Sequence, residues 1–407
     1  MNITPTLDRQ QFLETLDTLA QFGATSNQGI NRTAFSPTDL QARAWLVEQM
    51  EQAGLHVRTD PAGSTIGLYP GEQANLPPLA LGSHTDTVPN GGRFDGALGV
   101  LAGLACVRAL HRAGLRLQHP VEVINFAAEE ATTPGGEFGS RAMAGVLPPE
   151  TLHQLAWDGR PMTAHLEAAG LNPAEVFAAR RAHGSLAAYL ELHIEQGGVL
   201  ESEGARIGVV EGIVGLRSYA VTFQGYANHA GTTPMDRRQD ALLPAAAYIP
   251  AVNQIAVAHG IVGTVGELHL QPNASNVIPG RVNLVAEIRG LDEAVLDRAE
   301  AELAHTAHEL GASFEVLSRE PSVKSDERLT AALAEACRDL KLPYRRMSSG
   351  AGHDAASIAH IAPQAMLFVP SRNGVSHSPD EYTAPDSCVA GAEVLLAALL
   401  RLDNTLD

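Results

Sequence analysis

Five residues of the kind that ligate divalent metals each stand at the end of an apolar run or in a glycine-rich turn. They are His84 in SHTDTV, Asp95 in GGRFDG, Glu130 in AAEEA, His193 in LHIEQG and His377 in VSHSP. Such placement calls for a chain that repeatedly runs a buried segment up to a cleft, because a strand end or helix start can aim one side chain outward while its apolar neighbours stay in a core. That requirement points to an α/β layout.

The local patterns agree with it. Leu79-Ala80-Leu81 reads as a buried strand leading to His84, and Val121–Phe126 as a second that ends just before Glu129 and Glu130. Residues 188–194 and 366–369 read as short strands leading into the segments of His193 and His377. Residues 96–113 form a nearly all-apolar helix between the first two strands. Upstream, Ser36-Pro37-Thr38-Asp39 supplies an N-cap, a proline at the first helical position and an acid in the first turn of a helix through Trp45, Leu46 and Met50 that stops at Gly54. This alternation predicts a mostly parallel mixed sheet flanked by helices on both faces, with a site at the carboxyl ends of its strands.

The middle of the chain has another rhythm: strand 217–223, helix 237–258, strand 263–270, strand 281–289, helix 292–310 and strand 312–317. This is the β-α-β-β-α-β order of a ferredoxin-like α+β unit. The expected division is therefore a catalytic domain in two parts, 1–211 and 327–407, with a smaller domain inserted at 212–326. A chain of 407 residues is long for a single core, which agrees.

Bulk properties exclude several roles. A formal charge of −18 argues against nucleic acid and anionic membranes as partners, since both call for a basic patch. No run reaches the roughly 18 apolar residues of a membrane span, and the N-terminus lacks a basic segment followed by an apolar one. The three cysteines, Cys106, Cys337 and Cys388, have no metal or redox spacing and cannot all pair within one chain. A cytoplasmic enzyme is the expectation.

The ligand types set the chemistry. Three imidazoles and two carboxylates suit zinc, with manganese, cobalt or nickel under other loading, and a carboxylate can bridge two ions where one imidazole cannot. Asp95 is the best bridge, in a tight glycine turn between two other ligand segments. Asp86, two residues after His84, is expected to accept the free N–H of that imidazole and so fix its tautomer. Glu129 neighbours Glu130 but points differently, so it is expected to act as the general base that takes a proton from water and passes it to a leaving amine. Read alone, any one of the 16 histidines is an ordinary surface or core residue, and the ordered set is what carries the reading.

SHTDTV, GGRFDGALGV, AAEEA, LHIEQG, NHAGTTPM, SNVIPG, EIRG, SGAGHDA and VSHSP together closely resemble the N-carbamoyl-L-amino-acid amidohydrolases and allantoate amidohydrolases, the amidase branch of the di-zinc aminoacylase/carboxypeptidase superfamily. The resemblance spans essentially the whole chain. It implies a catalytic α/β domain, an inserted ferredoxin-like lid that mediates dimerisation, and hinge motion between them. It puts His84, Asp95 and His193 around one metal and Asp95, Glu130 and His377 around the other, with Glu129 as general base. His193 fills a position that related peptidases give to a carboxylate. The resemblance further implies that Gln196 hydrogen-bonds the ureido group, that Arg289 clamps the substrate carboxylate with help from Asn276, and that His229 stabilises the developing oxyanion. Gly350, Ala351 and Gly352 would bring backbone N–H groups close to the substrate. The chain departs from the branch at Ala131-Thr132-Thr133-Pro134-Gly135-Gly136-Glu137-Phe138, where many relatives carry a short Gly/Ser-Arg-Phe segment, and this changes the expected pocket wall.

The expected activity is hydrolysis of a ureido C–N bond on a small carboxylate, with release of ammonia and carbon dioxide. N-carbamoyl-L-amino acids come first as substrates and allantoate second. An N-acyl-amino-acid hydrolase or dipeptidase is a weaker alternative, disfavoured by His193 and Gln196. A non-catalytic carboxylate-binding protein is weaker still, because Glu129 and all five ligands are present.

Overall fold

The computed structural model describes residues 5–406. Their contacts divide them into two compact units, one running Ile213–Lys324 and the other comprising the rest. No helix among the described residues is long and apolar enough to cross a membrane.

The larger unit is built on a mixed sheet. From one edge its strands run His56–Thr59, Thr65–Tyr69, Val121–Phe126, Leu79–His84, Ala188–Ile194, Gln364–Val369 and Ile207–Ile213, and Tyr344–Ser349 pairs with the last of these. The four central strands are mutually parallel, and the margins on both sides are antiparallel. Every residue of those four strands is buried, the polar Glu122, Asn125, Glu191 and His193 included, as expected of parallel strands covered on both faces.

The helix Ala97–Ala113 is buried at every position from Ala97 to Leu110. It packs on the central strands and on the helix Pro385–Leu402. Each of its buried leucines and valines contributes roughly 1.5–3 kcal/mol of apolar burial, so this helix anchors the layer. The helix Pro37–Gln52 begins as its sequence predicts: Ser36 accepts from the Asp39 N–H at 3.2 Å, and Pro37 occupies the first turn. One turn later buried Arg43 pairs with Asp39 at 3.0 Å and donates to the carbonyl of Phe126 at 2.9 Å. That bond pins the strand end from which Glu129 and Glu130 emerge.

The smaller unit is a four-stranded antiparallel sheet in the order Ala312–Glu320, Gly215–Gln224, Arg281–Gly290, Val262–Gln271, with two helices, Leu242–His259 and Glu293–Glu309. Its two central strands alternate buried and half-buried residues. The buried set (Tyr219, Val221, Phe223, Leu284, Ile288) packs on Tyr248, Val252, Leu296 and Leu303 of the helices. This is the ferredoxin-like arrangement. The first helix starts five residues later than the sequence pattern predicts, because Met235–Arg237 closes a short 3-10 turn and Asp240 then accepts from the Leu242 N–H at 2.9 Å.

Candidate metal centre

The parallel strands deliver the candidate ligands to one place. His84 ends Leu79–His84, Glu129 and Glu130 follow Val121–Phe126, His193 is the penultimate residue of Ala188–Ile194, and His377 lies in the loop after Gln364–Val369. Asp95 arrives from the opposite direction, two residues before the helix Ala97–Ala113. The crevice at the carboxyl ends of such strands is where α/β sheets place their sites. Here it is a cavity of about 200 Å3 lined by all five candidate ligands together with Glu129, Gln196, Ala351, Gly352 and His353.

Asp95 sits between two groups of ligands. Its Oδ1 is 3.5 Å from Nε2 of His84 and 3.1 Å from Nε2 of His193, whereas its Oδ2 is 3.4 Å from Nε2 of His377. Nε2 of His377 is in turn 3.7 Å from Oε1 of Glu130. The ligand atoms of His84, Asp95 and His193 form one cluster, and those of Asp95, Glu130 and His377 another. The Nδ1 atoms of His84 and His193 face backbone carbonyls, of Asp86 at 3.0 Å and of Ile194 at 2.9 Å. A ring N–H donated there leaves Nε2 as the lone pair directed at Asp95.

The electrostatics fit cations. Burial pushes Glu129 well above the usual carboxylate range against the pull of His84. Burial, with Asp95 adding to it, raises Glu130 to about 7. For Asp95 the opposite holds: burial alone would raise it, but His193, His377 and His84 outweigh burial and hold it well below that range. Glu130 Oε1 is buried without a hydrogen-bond partner. Positive charge among these groups would lower the raised carboxyls and occupy that orphaned oxygen. An imidazole and carboxylate donor set of this kind suits two divalent ions.

Several neighbours differ from the sequence expectation. The Asp86 carboxylate is 3.8 Å from Nδ1 of His84 and does not accept its N–H; the Asp86 carbonyl faces that nitrogen instead. The carboxylate accepts the successive backbone N–H groups of Glu129 and Glu130, at 3.3 and 3.2 Å, and so fixes the turn that separates their side chains. Ala351 and Gly352 line the cavity and Gly350 does not. The Ala351 N–H is engaged by Ser349 Oγ at 3.2 Å, so it is turned to its own loop rather than to a ligand. Gln196 donates to Asp95 Oδ2 at 2.8 Å, and its Oε1 is buried without a partner.

Other residues were not legible as part of the site. Glu381 accepts from the backbone N–H groups of Phe94 and Asp95. His353 packs its ring 4.5 Å from that of His193. The divergent segment at 131–138 does form the wall: Ala131, Gly135, Gly136 and Glu137 line the cavity, with Gly135, Gly136 and Glu137 all at positive φ. The signal for Glu381 was its place four residues after His377, which nothing in spacing alone distinguishes from a surface acid.

His229, Asn276 and Arg289 belong to the smaller unit. Nδ1 of His229 accepts from the N–H groups of Gly231 and Thr232 at 3.0 and 3.2 Å, which leaves its ring proton on Nε2. The carbonyl of Asn276 accepts from the Ala230 N–H at 2.9 Å, which joins the two segments. Arg289, near the end of Arg281–Gly290, donates through Nε to Glu287 at 2.7 Å.

Comparison with known proteins agrees with this geometry. The profile of peptidase family M20/M25/M40 matches residues 80–401. The chain is 40% identical over 392 residues to N-carbamoyl-L-amino acid amidohydrolase of Geobacillus stearothermophilus, covering 94% of this chain and 96% of that protein. It is 35% identical over 408 residues to allantoate amidohydrolase of Escherichia coli (strain K12), covering 97% and 98%. A crystal structure of an amidase of the hydantoinase/carbamoylase family from Burkholderia multivorans matches it with a TM-score of 0.89 at 37% identity, covering 98% of each chain. The chain thus belongs to the peptidase M20/M25/M40 family of metal-dependent hydrolases, in the branch of the N-carbamoyl-L-amino-acid and allantoate amidohydrolases that act on carbon–nitrogen bonds.

Proposed function

We propose that the protein hydrolyses the ureido C–N bond of N-carbamoyl-L-amino acids, giving the amino acid, ammonia and carbon dioxide. The observation that carries this reading is the Asp95 carboxylate, with one oxygen toward His84 and His193 and the other toward His377. His84, Asp95 and His193 would hold one divalent ion and Asp95, Glu130 and His377 the other, zinc in first place and manganese, cobalt or nickel as alternatives. When bound, the ions polarise the scissile carbonyl and lower the pKa of the attacking water.

The protein's own groups do the rest. Glu129, held on the Asp86-bound turn, takes a proton from the water that adds to the ureido carbon and delivers it to the departing nitrogen. Asp86 acts through that turn. Gln196 presents an unpartnered Oε1 in the cavity wall, suited to accept from the ureido N–H. Arg289 receives the substrate carboxylate, a bidentate task for guanidinium, assisted by Asn276. His229 offers Nε2–H to the oxygen that gains charge. Ala351 and Gly352 shape the wall of the cavity that holds the candidate ligands.

Allantoate is the second reading, supported by the similarity to allantoate amidohydrolase, because it too joins a carboxylate to a carbamoyl group. Incubation with a panel of N-carbamoyl-L-amino acids, allantoate and N-acetyl-amino acids, followed by product identification, separates the readings. Ammonia with free amino acid supports the first and ammonia from allantoate alone the second; acetate without ammonia would overturn both.

We further propose a cytoplasmic homodimer. Three buried, unpaired cysteines support the compartment. The smaller unit supports the assembly: Val262–Gln271 is an edge strand, and Leu243, Val257 and Val262 are 67%, 71% and 64% exposed. Sedimentation should give a dimer, and a stable active monomer would contradict it.

A further inference from the structure

The two halves of the centre are held differently. His84 and His193 are buried on strands, with each Nδ1 facing a backbone carbonyl. His377 lies on a loop, at φ +53, with its side chain 49% exposed. Positive φ is an uncommon conformation for a residue with a β-carbon, so something must hold this loop in place.

The holding contacts are on either side of His377. Ser376 Oγ lies 2.8 Å from Asp95 Oδ2 and 3.0 Å from Glu381 Oε2. Glu381 is buried, and its Oε1 accepts from the backbone N–H groups of Phe94 at 2.9 Å and Asp95 at 3.1 Å. Gly92 is what lets it in: a β-carbon there would lie 1.9 Å from the Glu381 carboxyl carbon. The loop that carries His377 is thus tied both to the main chain and to the carboxylate of Asp95.

We propose that Ser376 and Glu381 are positioning residues that fix His377 and the Oδ2 side of Asp95 in one geometry, so that the ion of the Asp95, Glu130 and His377 half depends on them more strongly than the ion that Asp95 shares with His84 and His193. This rests on the two-ion reading above. Groups outside the ligand shell that orient a carboxylate or imidazole typically change metal affinity about 10–100-fold.

The test is calorimetric titration of Zn2+ into chelator-stripped full-length wild type, Ser376→Ala, Glu381→Ala and Glu381→Gln, with metal content measured after gel filtration. Wild type should take up two ions. Ser376→Ala and Glu381→Ala should keep the tighter one and bind the second at least about 10-fold more weakly. Glu381→Gln should restore two, because its Oε1 still accepts both backbone N–H groups and its amide can donate to Ser376 Oγ. If Glu381→Ala does not fold, Ser376→Ala decides. Two ions bound with wild-type affinity in Ser376→Ala would overturn the inference alone, and so would equal weakening of both. A wild type that binds no second ion would overturn the two-ion reading and the inference with it.

Discussion

Gly96 faces His84 so closely that a β-carbon on it would sit 2.3 Å from Nε2 of that imidazole. Its φ of +60 and ψ of −48 also belong to a conformation that side chains resist. The glycine therefore sets how near the Asp95 turn can come to the strand that carries His84.

Gly96→Ala should drive Asp95 and His84 apart. The expected result is weakened metal binding and a fall in kcat/KM of about 10–100-fold, with a stability cost of about 1–2 kcal/mol. Metal content and kinetics check this. A variant with full metal and wild-type turnover would show that the approach does not matter.

Glu129→Gln keeps the volume and removes the base. We expect kcat to fall about 100- to 10,000-fold while metal content is retained. Undiminished turnover would remove Glu129 from the mechanism.

Arg289→Lys retains charge but not the planar fork. KM for the carboxylate substrate should rise at least about 10-fold with a smaller change in kcat. Equal KM values would assign Arg289 a structural pairing with Glu287 only.

Asp60, which is not among the candidate ligands, supplies a pH dependence of stability. Burial raises its carboxyl to about 6, against the N–H groups of Ser64 and Ala62 that Oδ1 accepts, and Oδ2 is buried without a partner. The folded state then binds this proton more tightly than the unfolded chain does, with its ordinary pKa of about 3.9, so stability falls as pH rises from about 4 to about 6. At about 1.4 kcal/mol per unit the loss approaches about 3 kcal/mol. Asp60→Asn keeps the Oδ1 acceptor and abolishes the titration. It should be more stable than wild type at pH 7.5 and lose that advantage at pH 4, as measured by urea unfolding. A pH-independent difference would contradict the assignment.

Much of this was legible in the sequence because the signals were dense. Strands buried on both faces carry apolar residues on either face, and residues 121–126 and 188–194 are bounded by that pattern even though each contains two buried polar residues. The ferredoxin-like order followed from period-two strands separated by helical stretches; the largest displaced boundary is the start of the first helix, where the Leu242 N–H bonds to Asp240, a local contact that periodicity does not encode, and the last strand runs three residues further than expected. The cluster of ligands was legible as a set because each terminates a recognisable element. The roles of Asp86 and Glu381 were not, because both act on backbone N–H groups. Which main-chain donor a carboxylate meets depends on tertiary approach. A sequence shows Asp86 beside His84 but not the turn of Glu129 folded against it.

The most direct test of the account is ammonia release from an N-carbamoyl-L-amino acid by the metal-loaded protein, repeated after chelation and again after Zn2+ or Mn2+ is restored. The account predicts release that is abolished by the chelator and recovered on reloading. Release unaffected by chelation, or none from any ureido acid under full loading, would contradict it.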